Sequence, residues 1–131
     1  MLGHFEAEKL PASVINRIEV IFEEVVLNII RHGFQPNSDQ QIFIHVDALP
    51  GALHLVFEDD GIPFNPLSVP PPPSRFESLE TAKIGGLGVH LVTRLSMNAQ
   101  YRRVACRESV RWHCGRLVCP NNRLTLLIGK Q

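Results

Sequence analysis

Between about Pro11 and Arg31 the apolar side chains Val14, Ile18, Ile21, Phe22, Val25 and Ile29 recur at the i, i+3, i+4, i+7 spacing that lines one face of an α-helix. Val26 and Ile30 add a second apolar line, so this helix is expected to lie against a sheet with little of its surface free. Ser13 or Pro11 marks its start and Gly33 its end. On a helix so enclosed, the polar residues are conspicuous.

The sheet is sought downstream. Gln41 to Asp47 alternates Ile42, Ile44 and Val46 with polar positions, and Leu53 to Glu58 is a second β-rich run. Leu49-Pro50-Gly51 separates them, which predicts an antiparallel hairpin. Asp59-Asp60-Gly61-Ile62-Pro63-Phe64 is a loop by composition, and the four prolines Pro70 to Pro73 can neither continue a helix nor donate to a sheet. That stretch reads as a surface lid or linker rather than a proline-rich recognition motif. Gly85-Gly86-Leu87-Gly88 then opens into Val89 to Leu95, a second helix. Gln100 to Val104, Val110 to Cys114, Leu117 to Cys119 and Leu124 to Ile128 are strand-like, the last preceded by the turn pair Asn121-Asn122.

The chain has 131 residues, 44% of them hydrophobic, enough for one sizeable core and too few for two ordinary domains. Thirteen basic residues balance thirteen acidic ones, so no global field gathers a nucleic-acid backbone or an anionic membrane. No apolar run approaches the roughly 20 residues that span a bilayer, and Met1 to Glu6 lacks the basic and apolar regions of a signal peptide. A cytoplasmic location is expected. Three cysteines, Cys106, Cys114 and Cys119, are an odd count that favours reduced thiols over a disulfide framework. Their spacing, with His113 beside Cys114, matches no standard zinc pattern.

Three groups of residues carry chemistry. Glu24 and Asn28 lie four residues apart and share a helix face. A carboxamide oxygen suits Mg²⁺, and a carboxylate one turn away is placed to orient a water or accept a proton from a hydroxyl. The pair also fits an ordinary solvated face. Asp59-x-Gly61 follows a strand; its carboxylate can accept a hydrogen bond from an exocyclic amine and its glycine allows close approach, although Asp-Asp-Gly is equally good turn chemistry. Gly85-Gly86-x-Gly88 places backbone N–H groups at a helix N-terminus, which favours phosphate. It lacks the Gly-Lys-Ser/Thr ending of P-loop enzymes and the preceding strand of a dinucleotide fingerprint.

In this order and at these intervals the three groups resemble the N, G1 and G2 boxes of the GHKL ATPase superfamily, which holds gyrase and the histidine kinases. Glu23 to Gly33 (EEVVLNIIRHG), Asp59 to Pro66 (DDGIPFNP) and Ile84 to Leu95 (IGGLGVHLVTRL) are most similar to its anti-sigma-factor serine/threonine kinase branch. The resemblance covers about Leu10 to Gln100 and resumes at Asn122 to Leu127. It implies a Bergerat ATP-binding fold, an α+β two-layer sandwich whose mixed or antiparallel sheet is covered on one face by helices. It also implies a single domain over residues 1–131, with an ATP lid at 66–83.

By the same resemblance, Asn28 would ligate Mg²⁺, Glu24 would be the general base and Asp59 would hold the adenine amine. Gly61 would pack under the nucleotide, Gly85, Gly86 and Gly88 would face the phosphates, and Thr125 would help Asp59 bind the base. By the resemblance, the family's initial strand and most of its first helix would be lacking, with Phe5 to Leu10 as that helix's tail, and residues 104–121 would be an atypical insertion. The implied function is an ATP- and Mg²⁺-dependent serine/threonine protein kinase. It would act as an anti-sigma factor on a STAS-type anti-anti-sigma protein, binding a sigma factor and pairing as a homodimer. A non-catalytic nucleotide-dependent binding module is a second reading. A detached histidine-kinase ATPase domain is a third, set back because Pro63 stands where such domains have the second glycine of their G1 box.

Overall fold

A computed structural model describes residues 10–36, 39–68, 86–104, 111–113 and 115–129. The apolar stripe forms helix α1, Ala12–Asn28, and the residues it buries are Val14, Ile18, Ile21, Val25 and Asn28. These five recur at alternating steps of four and three, so the carboxamide of Asn28 occupies the next place in the buried row. The helix then widens into one π-helical turn, Ile29–Gly33, before the chain leaves it extended at Phe34.

Strands β1, Ile42–Leu49, and β2, Ala52–Asp59, form the expected hairpin, with Leu49 paired to Ala52. Gly51 closes it with φ 74°, the left-handed value required after a proline in a type II turn. A short 3₁₀ turn, Pro66–Ser68, and helix α2, Gly86–Leu95, come next. Strand β3, Asn98–Arg103, then precedes β6, Asn122–Gly129. The sheet order is β1-β2-β6-β3 and every pairing is antiparallel, so the last strand in sequence lies between the second and third.

Alternation in β2 and β6 puts Leu53, Leu55 and Phe57 with Leu124, Leu126 and Ile128 on one face, where they pack with Val14, Ile18, Ile21 and Val25 of α1. Phe22 meets Phe57 edge to face, with ring centroids 5.3 Å apart. Helix α2 packs on α1 and contributes the buried Val92. Helices against one face of an antiparallel sheet make the α+β two-layer sandwich expected from the sequence.

The region read as an atypical insertion contains its own hairpin, β4, Arg111–His113, and β5, Arg116–Val118, turning at Gly115 with φ 77°. Cys119 is disulfide-bonded, which corrects the expectation of reduced thiols. An odd count does not bar one pair among three, and both other cysteines, Cys106 and Cys114, lie outside the described residues. So do Pro70 to Pro73, Gly85 and most of the segment read as a lid. No helix among the described residues is long and apolar enough to cross a membrane.

Candidate functional site

Where α1 ends beside the C-terminal end of β2, the two layers part into a cleft. Its apolar walls are Val25, Ile29, Phe57, Val92 and Leu124, with Ile62, Phe64, Pro66 and Leu67 along the rim. Among the described residues, the polar side chains that enter it are Asn28, Asp59, Tyr101 and Asn122. A mostly apolar concavity with a few placed hydrogen-bonding groups is the usual form of a small-molecule site.

Asn28 is 6% exposed, and among the described residues no partner holds its carboxamide. Asp59 is equally buried, and its Oδ1 accepts from the Gly61 N–H at 2.9 Å and from Asn122 Nδ2 at 3.0 Å. No described residue donates to Oδ2, which leaves that oxygen for a donor in the cleft. Burial pushes the Asp59 carboxyl above the ordinary carboxylate range, against the opposing pull of the Asn122 and Gly61 hydrogen bonds.

The loop after Asp59 is fastened to the end of α1. The Ile62 N–H donates to the Gly33 carbonyl at 2.8 Å, and His32 stacks on Phe64 with centroids 4.5 Å apart and planes 16° apart. The π-helical turn carries both contacts. It also explains Gly61, where a Cβ would lie 2.8 Å from the Gly33 carbonyl carbon and 2.9 Å from Asp59 Oδ1. Gly61 is therefore required by the approach of two backbones, and it does not line the cleft.

Among the described residues, two singled out in the sequence, Glu24 and Thr125, do not line this cleft. Glu24 is half-buried on α1 one turn before Asn28 and is absent from the lining. Thr125 lies on the opposite face of β6 from Asn122 and Leu124, because successive side chains alternate, and it pairs with Val56 rather than Asp59. It is not brought together with the carboxylate. Gly86 and Gly88 stand in the first turn of α2, with Gly85 outside the described residues.

Two cleft residues escaped the sequence reading. Asn122 was taken as half of a turn pair, yet it is 3% exposed and directly opposite Asp59 in the β2–β6 register. Tyr101, on β3, donates its hydroxyl to Asn122 Oδ1 at 2.6 Å. Nothing local marks either residue; only the strand pairing joins positions 63 apart in the chain.

Comparison with known proteins adds the family. No curated protein matches. Among solved structures, the histidine kinase domain from Erythrobacter litoralis EL346 blue-light activated histidine kinase is similar at 19% sequence identity and a TM-score of 0.49. The similarity covers 92% of this chain and 46% of that one, so the chain spans less than half of that structure's length. A family model described as "Histidine kinase-like ATPase domain" matches residues 2–112, most of the chain. The chain therefore belongs to the histidine kinase-like ATPase domain family.

Proposed function

We propose that the cleft binds the adenine of ATP and that the domain is a serine/threonine protein kinase of the anti-sigma-factor type. The observation that carries the nucleotide reading is the buried Asp59, with one carboxylate oxygen fixed by two donors and the other without a described donor, on the wall of an apolar slot. An exocyclic amine is the group such an oxygen is suited to accept from, and flat apolar walls suit a purine ring. The same donor set fits a magnesium nucleotide. Asn28 offers one neutral oxygen, and among the described residues no cluster of His, Cys, Asp and Glu forms a metal cage. Mg²⁺ needs no such cage, since it retains waters and takes phosphate oxygens.

Bound there, Mg-ATP would supply the transferable phosphoryl group. The chain's own residues would do the rest. Asn28 would hold the metal from the buried row of α1. Glu24, one turn earlier, would accept the proton of an attacking serine or threonine hydroxyl, and the N-terminal turn of α2 with Gly85, Gly86 and Gly88 would face the phosphates. The segment 66–83 would cover the nucleotide as a lid. The motif strings around these residues support a STAS-type substrate and a sigma-factor partner, with a homodimer as the assembly.

A second reading, a nucleotide-dependent protein-binding module without transfer, is favoured by one observation: Glu24 does not line the cleft. Thermal unfolding with Mg²⁺ and rising ADP tests the shared part. At about 100 times its dissociation constant, ADP should add roughly 2.7 kcal/mol to the wild type and much less to Asp59→Asn. An equal response in both proteins would remove Asp59 from the site. Label transfer from ATP to a STAS protein then separates the two readings, with transfer by the wild type and none by Glu24→Gln expected of the kinase.

A further inference from the structure

Asn122 sits at the first position of β6, where its amide meets three oxygens of the facing loop at once. Nδ2 lies 3.0 Å from Asp59 Oδ1, 3.1 Å from the Gly61 carbonyl and 3.1 Å from the Ile62 carbonyl. On the other side, Oδ1 accepts the Tyr101 hydroxyl at 2.6 Å. These contacts leave one workable orientation of the amide. Turned over, it would set its carbonyl against a carboxylate and two backbone carbonyls, and its NH₂ against a hydroxyl that would have to reverse its own bond.

The amide therefore has a direction, and it imposes that direction on Asp59. The two oxygens are equivalent acceptors, so what matters is that the group cannot turn away: with Oδ1 held by Asn122 and by the Gly61 N–H, the plane of the carboxylate is fixed and Oδ2 stays toward the cleft. Buried hydrogen bonds of this kind act together, so removing one member loosens the rest. We propose that Asn122, oriented by Tyr101, is the positioning residue that makes the cleft selective for a 6-aminopurine over a 6-oxopurine. This rests on the reading of the cleft as a purine site. It adds which residues set the discrimination, and it assigns them to strands β6 and β3 rather than to the loop bearing the carboxylate.

The discrimination follows from the chemistry of the two bases. A 6-amino group donates to Asp59 Oδ2. A 6-oxo group sets an acceptor against it, and a site whose hydrogen-bonding groups are fixed rejects such a mismatch far better than one whose groups can turn away. Asn122 and Tyr101 then act on the ratio of the two affinities. A residue that merely held the loop in place would act on both affinities alike.

The test measures binding of ADP and of inosine diphosphate, both with Mg²⁺, to wild type, Tyr101→Phe, Asn122→Ala and Asp59→Asn. Tyr101→Phe keeps the half-buried ring and removes one hydroxyl, so it reports on the proposal should Asn122→Ala fold poorly. The wild type should prefer ADP by about tenfold or more, the factor expected of one hydrogen bond to a charged group. That preference should shrink several-fold in Tyr101→Phe and nearly vanish in Asn122→Ala, chiefly through tighter relative binding of inosine diphosphate. If both variants lose affinity for the two nucleotides by one common factor, or keep the wild-type ratio, the positioning role is overturned while the purine site stands. If the wild type itself does not distinguish the two, and Asp59→Asn binds like the wild type, the purine reading falls and the proposal with it.

Discussion

A carboxylate that is 6% exposed beside apolar walls is ionised at a cost, and Asp59 shows it in a pKa held above the usual value by burial. The consequence for stability has a definite sign. A carboxyl whose folded pKa is raised contributes stability that is fully present below the unfolded value, here 3.8, and is lost as pH rises through the folded value. Asp59→Asn removes that loss, because an asparagine carbonyl can still accept from Gly61 N–H and Asn122. Without nucleotide, the variant should therefore gain stability relative to the wild type as pH rises from the acid range to neutrality. Urea unfolding at acid and neutral pH measures the difference, and parallel curves for the two proteins would show that burial of the charge carries no such penalty. The expected gain in Asp59→Asn would mean that the pocket is less stable for being able to bind, a usual cost of a functional site. At this scale the sequence was partly legible. Asp59 and Asn28 were visible because each belongs to a short motif with chemical logic, whereas Asn122 looked like turn chemistry until strand pairing put it opposite Asp59.

Periodicity made the elements legible and local irregularity hid the rest. The stripe of α1 and the β-rich runs of β1 and β2 placed three elements correctly, with α1 and β2 each burying one face in the core and β1 adding the partly buried Val46, while Ile44 of the same alternation is exposed. The π-helical turn at Ile29–Gly33 left no trace in the pattern, since the stripe runs on through Ile29 and one widened turn shifts only the few residues after it. Thr125 was taken from the resemblance and not from a pattern; in a strand a shift of one residue reverses the face, and β6 turns Asn122 and Leu124 to the buried side and Thr125 to the other. The β1–β2 turn, by contrast, was readable from Pro50-Gly51 alone, and its chemistry can be isolated. A Cβ on Gly51 meets nothing within 4 Å, so Gly51→Ala tests the positive φ and no contact. The substitution should cost about 1 to 2 kcal/mol, the penalty of a left-handed backbone for an L-residue, and leave the ADP dissociation constant unchanged. Chemical denaturation with an ADP titration checks both halves. A loss well under that range would mean that the turn relaxes to another type.

The molecule as a whole joins stability and binding through shared residues. Val25, Phe57, Val92 and Leu124 belong both to the buried core and to the lining of the cleft, while Ile21, Leu53, Leu126 and Ile128 belong to the core alone. The site is the open end of the hydrophobic core rather than a pocket added to its surface. Substitutions in the two groups should then separate. Ile21→Val removes one methyl from a fully buried side chain away from the cleft and should cost about 0.5 to 1.5 kcal/mol. Its effect on ADP binding should be nil once the folded fraction is taken into account, because ligand acts on the folded state alone. Phe57→Leu should lower stability as well, through the cavity it leaves and the lost edge-to-face contact with Phe22. It should in addition weaken ADP, because the same ring is part of the cleft wall. Measuring unfolding free energy and ADP affinity for both variants sets one against the other. If Ile21→Val weakens binding as much as Phe57→Leu, the core transmits strain along α1 to Asn28, and the sheet and helix ends must be treated as one mechanical unit. If only Phe57→Leu does, the cleft is governed by the side chains that line it, and the rest of the core can change without altering what the site holds.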